Sequence, residues 1–107
     1  MNIFQRWIMK QYTNSDQAAK LIELGFESPQ RNHIIEWNGT YKGNYSIGEL
    51  IEMLPKEFDG ELLEIAPVTL AIAKWMVRYP YGIIVYKSEL IDALYEMVVK
   101  LKEEGVI

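Results

Sequence analysis

The chain contains no cysteine. Disulfides, thiolate metal sites and cysteine nucleophiles are therefore excluded together. It contains one histidine, His33, which also excludes a multi-histidine metal centre and a histidine relay. No apolar run approaches the roughly 20 residues needed to cross a bilayer. A tail or arm of one charge sign is missing as well. Acidic residues outnumber basic ones 15 to 11, and the surplus is split evenly between residues 1–60 and 61–107. A net charge of −4 with no basic arm is a poor basis for duplex binding, where phosphate neutralisation dominates affinity. The first residues, Met1-Asn2-Ile3-Phe4-Gln5-Arg6-Trp7, lack the uninterrupted apolar core of a signal peptide. The expected location is the cytoplasm, and the sequons at Asn38 and Asn44 read as loop composition.

What is present is enough for one core. The 107 residues are 50% hydrophobic and 24% charged, a globular balance. A chain of this size buries about two-thirds of the surface its open form exposes. The expected organisation is one α+β domain spanning 1–107, with 1–11 as an N-terminal arm or short helix. In that arm Ile3, Phe4, Trp7 and Ile8 stand at helical spacing. Docking on the core is favoured over a membrane-surface role, because so short a helix is marginal in water and carries only Arg6 and Lys10.

Helix signals recur at three places. Thr13 reads as an N-cap with Asp16 three residues on, and Ala18, Leu21 and Ile22 form a stripe that Gly25 and Phe26 close as a Schellman end. Ser46 and Glu49 make a capping box. Tyr45 and Leu50 occupy the staple positions, Ile47, Leu50, Ile51 and Leu54 form one face, and Pro55 ends the helix at Leu54. Ser88 is the expected cap of a last helix whose stripe is Leu90, Leu94, Met97, Val98 and Leu101. Its dipole is matched by Glu89 and Asp92 at the start and Lys100 and Lys102 at the end.

Between these helices the period changes to two. Residues 61–66 and 71–79 read as strands, and in the second Ala71, Ala73, Trp75, Val77 and Tyr79 share one parity. A helix starting at Pro67 competes, but the alternation and the β-branched and aromatic content favour the strand. Pro80 and Gly82 suit positions i+1 and i+3 of a type I turn, after which 83–87 returns. The predicted fold is therefore three helices, at 13–25, 46–54 and 88–104, packed on a small antiparallel β-meander, with 33–37 as a further edge.

Three stretches carry a resemblance. They are Tyr45-Ser46-Ile47-Gly48-Glu49-Leu50-Ile51-Glu52-Met53-Leu54-Pro55, then Trp75-Met76-Val77-Arg78-Tyr79, then Ala93-Leu94-Tyr95-Glu96-Met97-Val98 with Glu104-Gly105-Val106-Ile107. In this order the chain resembles small proteins encoded by phages and integrated mobile elements of gut bacteria. The Tyr12-Thr13 start and Leu24-Gly25 end of the first marked helix fit as well. The resemblance implies one α+β domain and a mobile-element origin. Its motifs are caps, turns and core residues, so it assigns no catalytic residue.

The chemistry-bearing residues do not assemble into a recognisable centre. His33 with Glu36 is too small a set for a closed zinc site. Glu61 and Glu64 lie three apart on a predicted strand and face opposite sides. The glycine-flanked loop 39–43, with Lys42, lacks the strand and helix context of a P-loop. No catalytic residue, cofactor or metal is expected. Around one hairpin, Trp75, Tyr79, Tyr81 and Tyr86 mix with Lys74, Arg78 and Lys87. Aromatics interleaved with bases can stack single-stranded nucleic acid, with Lys74, Arg78, Tyr81 and Lys87 as the contacts. The net negative charge favours the plainer reading, in which the aromatics are core and the bases a solvated face.

A non-enzymatic accessory or protein-interaction module is accordingly the leading expectation, with Met76, Arg78, Tyr81, Ile83 and Val85 as its interface. The nucleic-acid hairpin is second, and a small enzyme using unassigned carboxylates is third. No membrane partner is expected. Because Ile83-Ile84-Val85-Tyr86 carries no charge before Lys87, an edge strand here invites another chain. The two expected resolutions are a homodimer through this hairpin, or the N-terminal segment with Ile3, Phe4 and Trp7 lying over the edge.

Overall fold

A computed structural model describes residues 9–28, 44–70, 73–80 and 82–107. The N-terminal residues 1–8, the 33–37 edge, the 39–43 loop with Lys42, His33 with Glu36, and Tyr81 lie outside these residues. In the described residues the chain has an α+β mix of three helices and two small antiparallel sheets. The order is α1 (Ser15–Glu23), α2 (Ile47–Met53), β1 (Glu57–Phe58), β2 (Glu61–Leu62), β3 (Glu64–Pro67), β4 (Trp75–Arg78), β5 (Ile84–Lys87) and α3 (Leu90–Glu103). Among the described residues no helix is long and apolar enough to cross a membrane.

The helix ends follow local chemistry. At α2, Ser46 accepts from the Glu49 N–H and Glu49 accepts from the Ser46 N–H, closing the expected capping box. Leu54 has left helical geometry (ψ 134°), as Pro55 demands. Gly25 takes φ +105°, and the Phe26 N–H reaches the Leu21 carbonyl at 3.1 Å, which completes the Schellman end. Gly105 ends α3 in the same way, with the Val106 N–H on the Leu101 carbonyl at 2.9 Å.

Two caps differ from expectation. Asn14, not Thr13, caps α1, in a reciprocal box with Gln17. Thr13 is buried instead and ties two helix starts together. Its N–H donates to the Tyr45 carbonyl at 2.9 Å, and its Oγ1 accepts the Tyr45 N–H at 3.0 Å. A buried backbone N–H needs a partner, and this one outranks a cap that Asn14 supplies equally well. At α3 the N-cap position is Glu89, not Ser88, and no side chain caps it.

The core is one cluster in which Leu21, Tyr45, Leu50, Val77, Tyr79, Val85, Leu94, Met97 and Leu101 take part. α3 packs against β4, β5 and α2. It buries Ile91 and Ala93 besides the expected stripe, because it has neighbours on more than one side. Ile22 and Ile51 are exposed, although both were expected on buried stripes. Ile22 stands about 100° round the helix from Leu21, and a nine-residue helix seated on Ala18 and Leu21 cannot bury both. Across the helices, Lys20 meets Glu103 at 3.9 Å and Lys102 lies over the Phe26 ring at 5.4 Å.

The predicted meander is present as the antiparallel sheet β3-β4-β5, and a second, two-stranded sheet precedes it in the chain. The run 61–66 is broken at Leu63, whose N–H donates to the Lys56 carbonyl. This leaves β2 paired back on β1 through Asp59 and Gly60, both at positive φ. In the three-stranded sheet Val77 stands opposite Ile65 on one side and Val85 on the other. The helix alternative for 71–79 is overturned by this pairing, and the strand is shorter than expected. The Gly82 N–H closes the turn on the Tyr79 carbonyl at 2.9 Å.

Candidate functional site

The β4–β5 hairpin has two faces, and register sorts its residues between them. Ile65, Val77 and Val85 stand in line on the face that α3 covers, with Trp75 half-buried beside them. Glu64, Arg78 and Ile84 form one row of the opposite face. Ala66, Met76 and Tyr86 form the next. On this outer face Ile84 is 42% exposed and Tyr86 45%, while Met76, on the central strand between its neighbours, is 8% exposed.

Backbone alternation defines the edge. The Tyr79 N–H donates to the Ile83 carbonyl at 3.1 Å. Hydrogen-bonded pairs in an antiparallel ladder recur at every second residue, so Val85 also exchanges its bonds with β4. Ile84 and Tyr86 then turn their N–H and C=O groups away from β4. Among the described residues no strand pairs with that side of β5. The same two residues thus carry exposed apolar side chains and outward backbone groups.

The opposite edge is different. The Val68 N–H bonds the Lys74 carbonyl at 2.8 Å, which leaves Ile65 and Pro67 as the outward positions of β3. Pro67 has no N–H, and a proline is a common way to blunt an edge.

The expected interface residues divide under this geometry. Met76 lies on the outer face but is nearly covered. Arg78 is on the same face with its Nε 2.7 Å from Glu64 Oε2. Ile83 is half-buried against the core, and Val85, 2% exposed, belongs to the core itself. Val85 offers no surface to a partner. Within the expected edge run, the exposed apolar side chains are Ile84 and Tyr86. Tyr79 stands opposite Ile83, so the register sets Val85 opposite Val77, and an inward Val77 puts Val85 inward and Ile84 and Tyr86 outward.

Two of the residues expected to hold nucleic acid, Arg78 and Lys87, stand in ion pairs. Arg78 is paired with Glu64, and Lys87 Nζ lies 3.6 Å from Glu96 on α3. Lys74 is exposed and has no ion partner among the described residues. Tyr79 is fully buried, with its hydroxyl donating to the Pro55 carbonyl at 2.6 Å. Its ring meets Phe58 edge-on at 5.8 Å. Burial pushes its phenol up to about 12. Burial also raises Tyr45, whose hydroxyl donates to the Glu27 carbonyl. Tyr95 is raised by burial first and by the Glu103 charge second. The Tyr45 and Tyr79 hydroxyls thus serve as donors to backbone carbonyls.

Two depressions adjoin the hairpin. One, of about 180 Å³, lies between Phe58, Tyr79 and the β1–β2 turn with Asp59 and Glu61 at its rim. The other, of about 320 Å³, is lined by Lys10, Gln17, Lys87, Asp92, Tyr95 and Glu96. Its charges are matched internally. Lys10 faces Asp92 at 3.5 Å, Gln17 Nε2 donates to the same carboxylate at 2.9 Å, and Lys87 faces Glu96. Among the described residues no three acidic or histidine side chains group as metal ligands would. The chain matches no protein-family model, no curated protein and no solved structure.

Proposed function

We propose that this chain is a non-enzymatic accessory or protein-interaction module, of the kind encoded by phages and integrated mobile elements, that docks through the outer edge and outer face of β5. One observation carries the reading. Ile84 and Tyr86 combine exposed apolar side chains with backbone groups that have no strand beside them among the described residues. An edge of that kind is chemically complementary to another extended segment. Two further facts support it over the enzymatic and nucleic-acid readings. The charged groups lining the larger depression are paired with one another, and the large aromatics Trp75 and Tyr79 face inward. In this reading the compartment is the cytoplasm, and no membrane, cofactor or metal takes part.

The test is site-specific photo-crosslinking in the native host. A photoreactive residue is placed at position 84 or 86, with position 52, exposed on α2, as the control. Adducts at 84 and 86 that are absent at 52 are expected. Equal adducts at all three positions, or none at 84 and 86, would overturn the reading.

A further inference from the structure

We infer that the occupant of this edge is a second copy of the chain, joined by β5 against β5 of the second copy, antiparallel about a two-fold axis at Val85. The inference rests on the interaction-module reading and names its partner.

Three observations converge on it. First, the outward backbone groups belong to Ile84 and Tyr86, so a second strand must bond at those two residues. An antiparallel copy centred on Val85 sets Ile84 opposite Tyr86 of the second copy, and Tyr86 opposite its Ile84. Each bonding position of one strand therefore meets a bonding position of the other. Second, this register joins the side chains that are 42% and 45% exposed, an aromatic facing a β-branched residue on one sheet face. Such pairs are the favourable unit of sheet association. Lys87 then faces Ile83 of the second copy, so no like charges oppose one another. The neighbouring registers do worse. One sets Tyr86 against Gly82 and the other sets Ile84 against Ser88, and each leaves an apolar side chain without an apolar neighbour. Third, the far edge of the sheet is blunted by Pro67. With one open edge on this sheet among the described residues, the contact is isologous and closes at two copies, instead of propagating as a fibre.

Sedimentation equilibrium of the purified full chain tests the stoichiometry. A monomer–dimer equilibrium in the tens-of-micromolar range is expected. Ile84→Lys places two like charges in the interface and lowers the association constant by about tenfold or more, with unchanged far-ultraviolet dichroism. The register is tested by oxidative linking, which the absence of native cysteine makes clean. An equimolar mixture of Ile84→Cys and Tyr86→Cys is expected to form linked dimer severalfold faster than either variant alone. A single species of monomer mass, a dimer unaffected by Ile84→Lys, or equal linking in the single-variant samples would each overturn the inference. If the chain is monomeric while residues 84 and 86 crosslink to a chain of another mass, the second copy is excluded and the module reading stands.

Discussion

The two faces of the β4–β5 hairpin come from the same alternating run of residues, yet one face is finished and the other is not. On the inner face Val77 and Val85 lie under α3 and are shut from solvent. On the outer face Arg78 is answered by Glu64, Met76 is buried, and Ile84 and Tyr86 remain in water. The strands themselves make both faces alike. The difference comes from the third element, α3, whose wide apolar face needs one side of the sheet and leaves the other for something else. Alternation specifies that two faces exist, and tertiary packing decides which is core.

The sharpest way to break this contrast is to put the same substitution on each face. Val85→Lys buries a charge among α3 side chains and is expected to cost more than about 3 kcal/mol, or to prevent folding. Urea denaturation reads it. Tyr79→Phe removes a buried hydroxyl and strands the Pro55 carbonyl, an expected loss of about 1–2 kcal/mol. It also changes the alkaline limb of stability. The folded phenol titrates at about 12 and the unfolded one near 10. The unfolded chain therefore binds fewer protons between those values, and stability falls as pH rises from about 10 towards about 12. Below that window the contribution is fully present. Tyr79→Phe should flatten the limb, and an unchanged slope would show that Tyr79 is not what drives it.

On the outer face the effects shrink. Arg78→Ala removes an ion pair whose two side chains are both over one-third exposed. The expected cost is about 0.2–1 kcal/mol, reduced further by added salt. Ile84→Lys should leave the stability of the dilute monomer within about 0.5 kcal/mol of the parent, because the side chain is already in water. A large loss there would mean that the outer face is as tightly packed as the inner one.

What could be read from the sequence was local. The Ser46 and Glu49 box, the Pro55 stop, the glycine ends at Gly25 and Gly105 and the turn at 79–82 all depend on residues within one turn of each other. Each was recoverable from spacing alone. The Asp59-Gly60 hairpin is equally local, because an aspartate–glycine pair tolerates the two positive φ angles such a turn demands. Long-range choices were less visible. Thr13 and Asn14 are both good caps, and only the distant Tyr45 backbone decides that Thr13 is needed elsewhere. Ile22 and Ile51 look like core because the width of a buried stripe depends on neighbours the sequence does not name. Which residues of β5 face water is hidden for the same reason: the register places Ile84 and Tyr86 outside and Val85 in the core.

The central claim is that the outer edge of β5 is open in one copy and closed by another. Amide hydrogen exchange at two protein concentrations tests it most directly, residue by residue. In dilute solution the Ile84 and Tyr86 amides should exchange quickly while the Val85 amide, bonded to β4, stays protected. At concentrations that favour the dimer, Ile84 and Tyr86 should become protected and Val85 should change little. Protection of Ile84 and Tyr86 that is already complete in dilute solution would mean that the chain covers its own edge. Fast exchange of both at every concentration would mean that no second copy binds there, and either result would contradict the account.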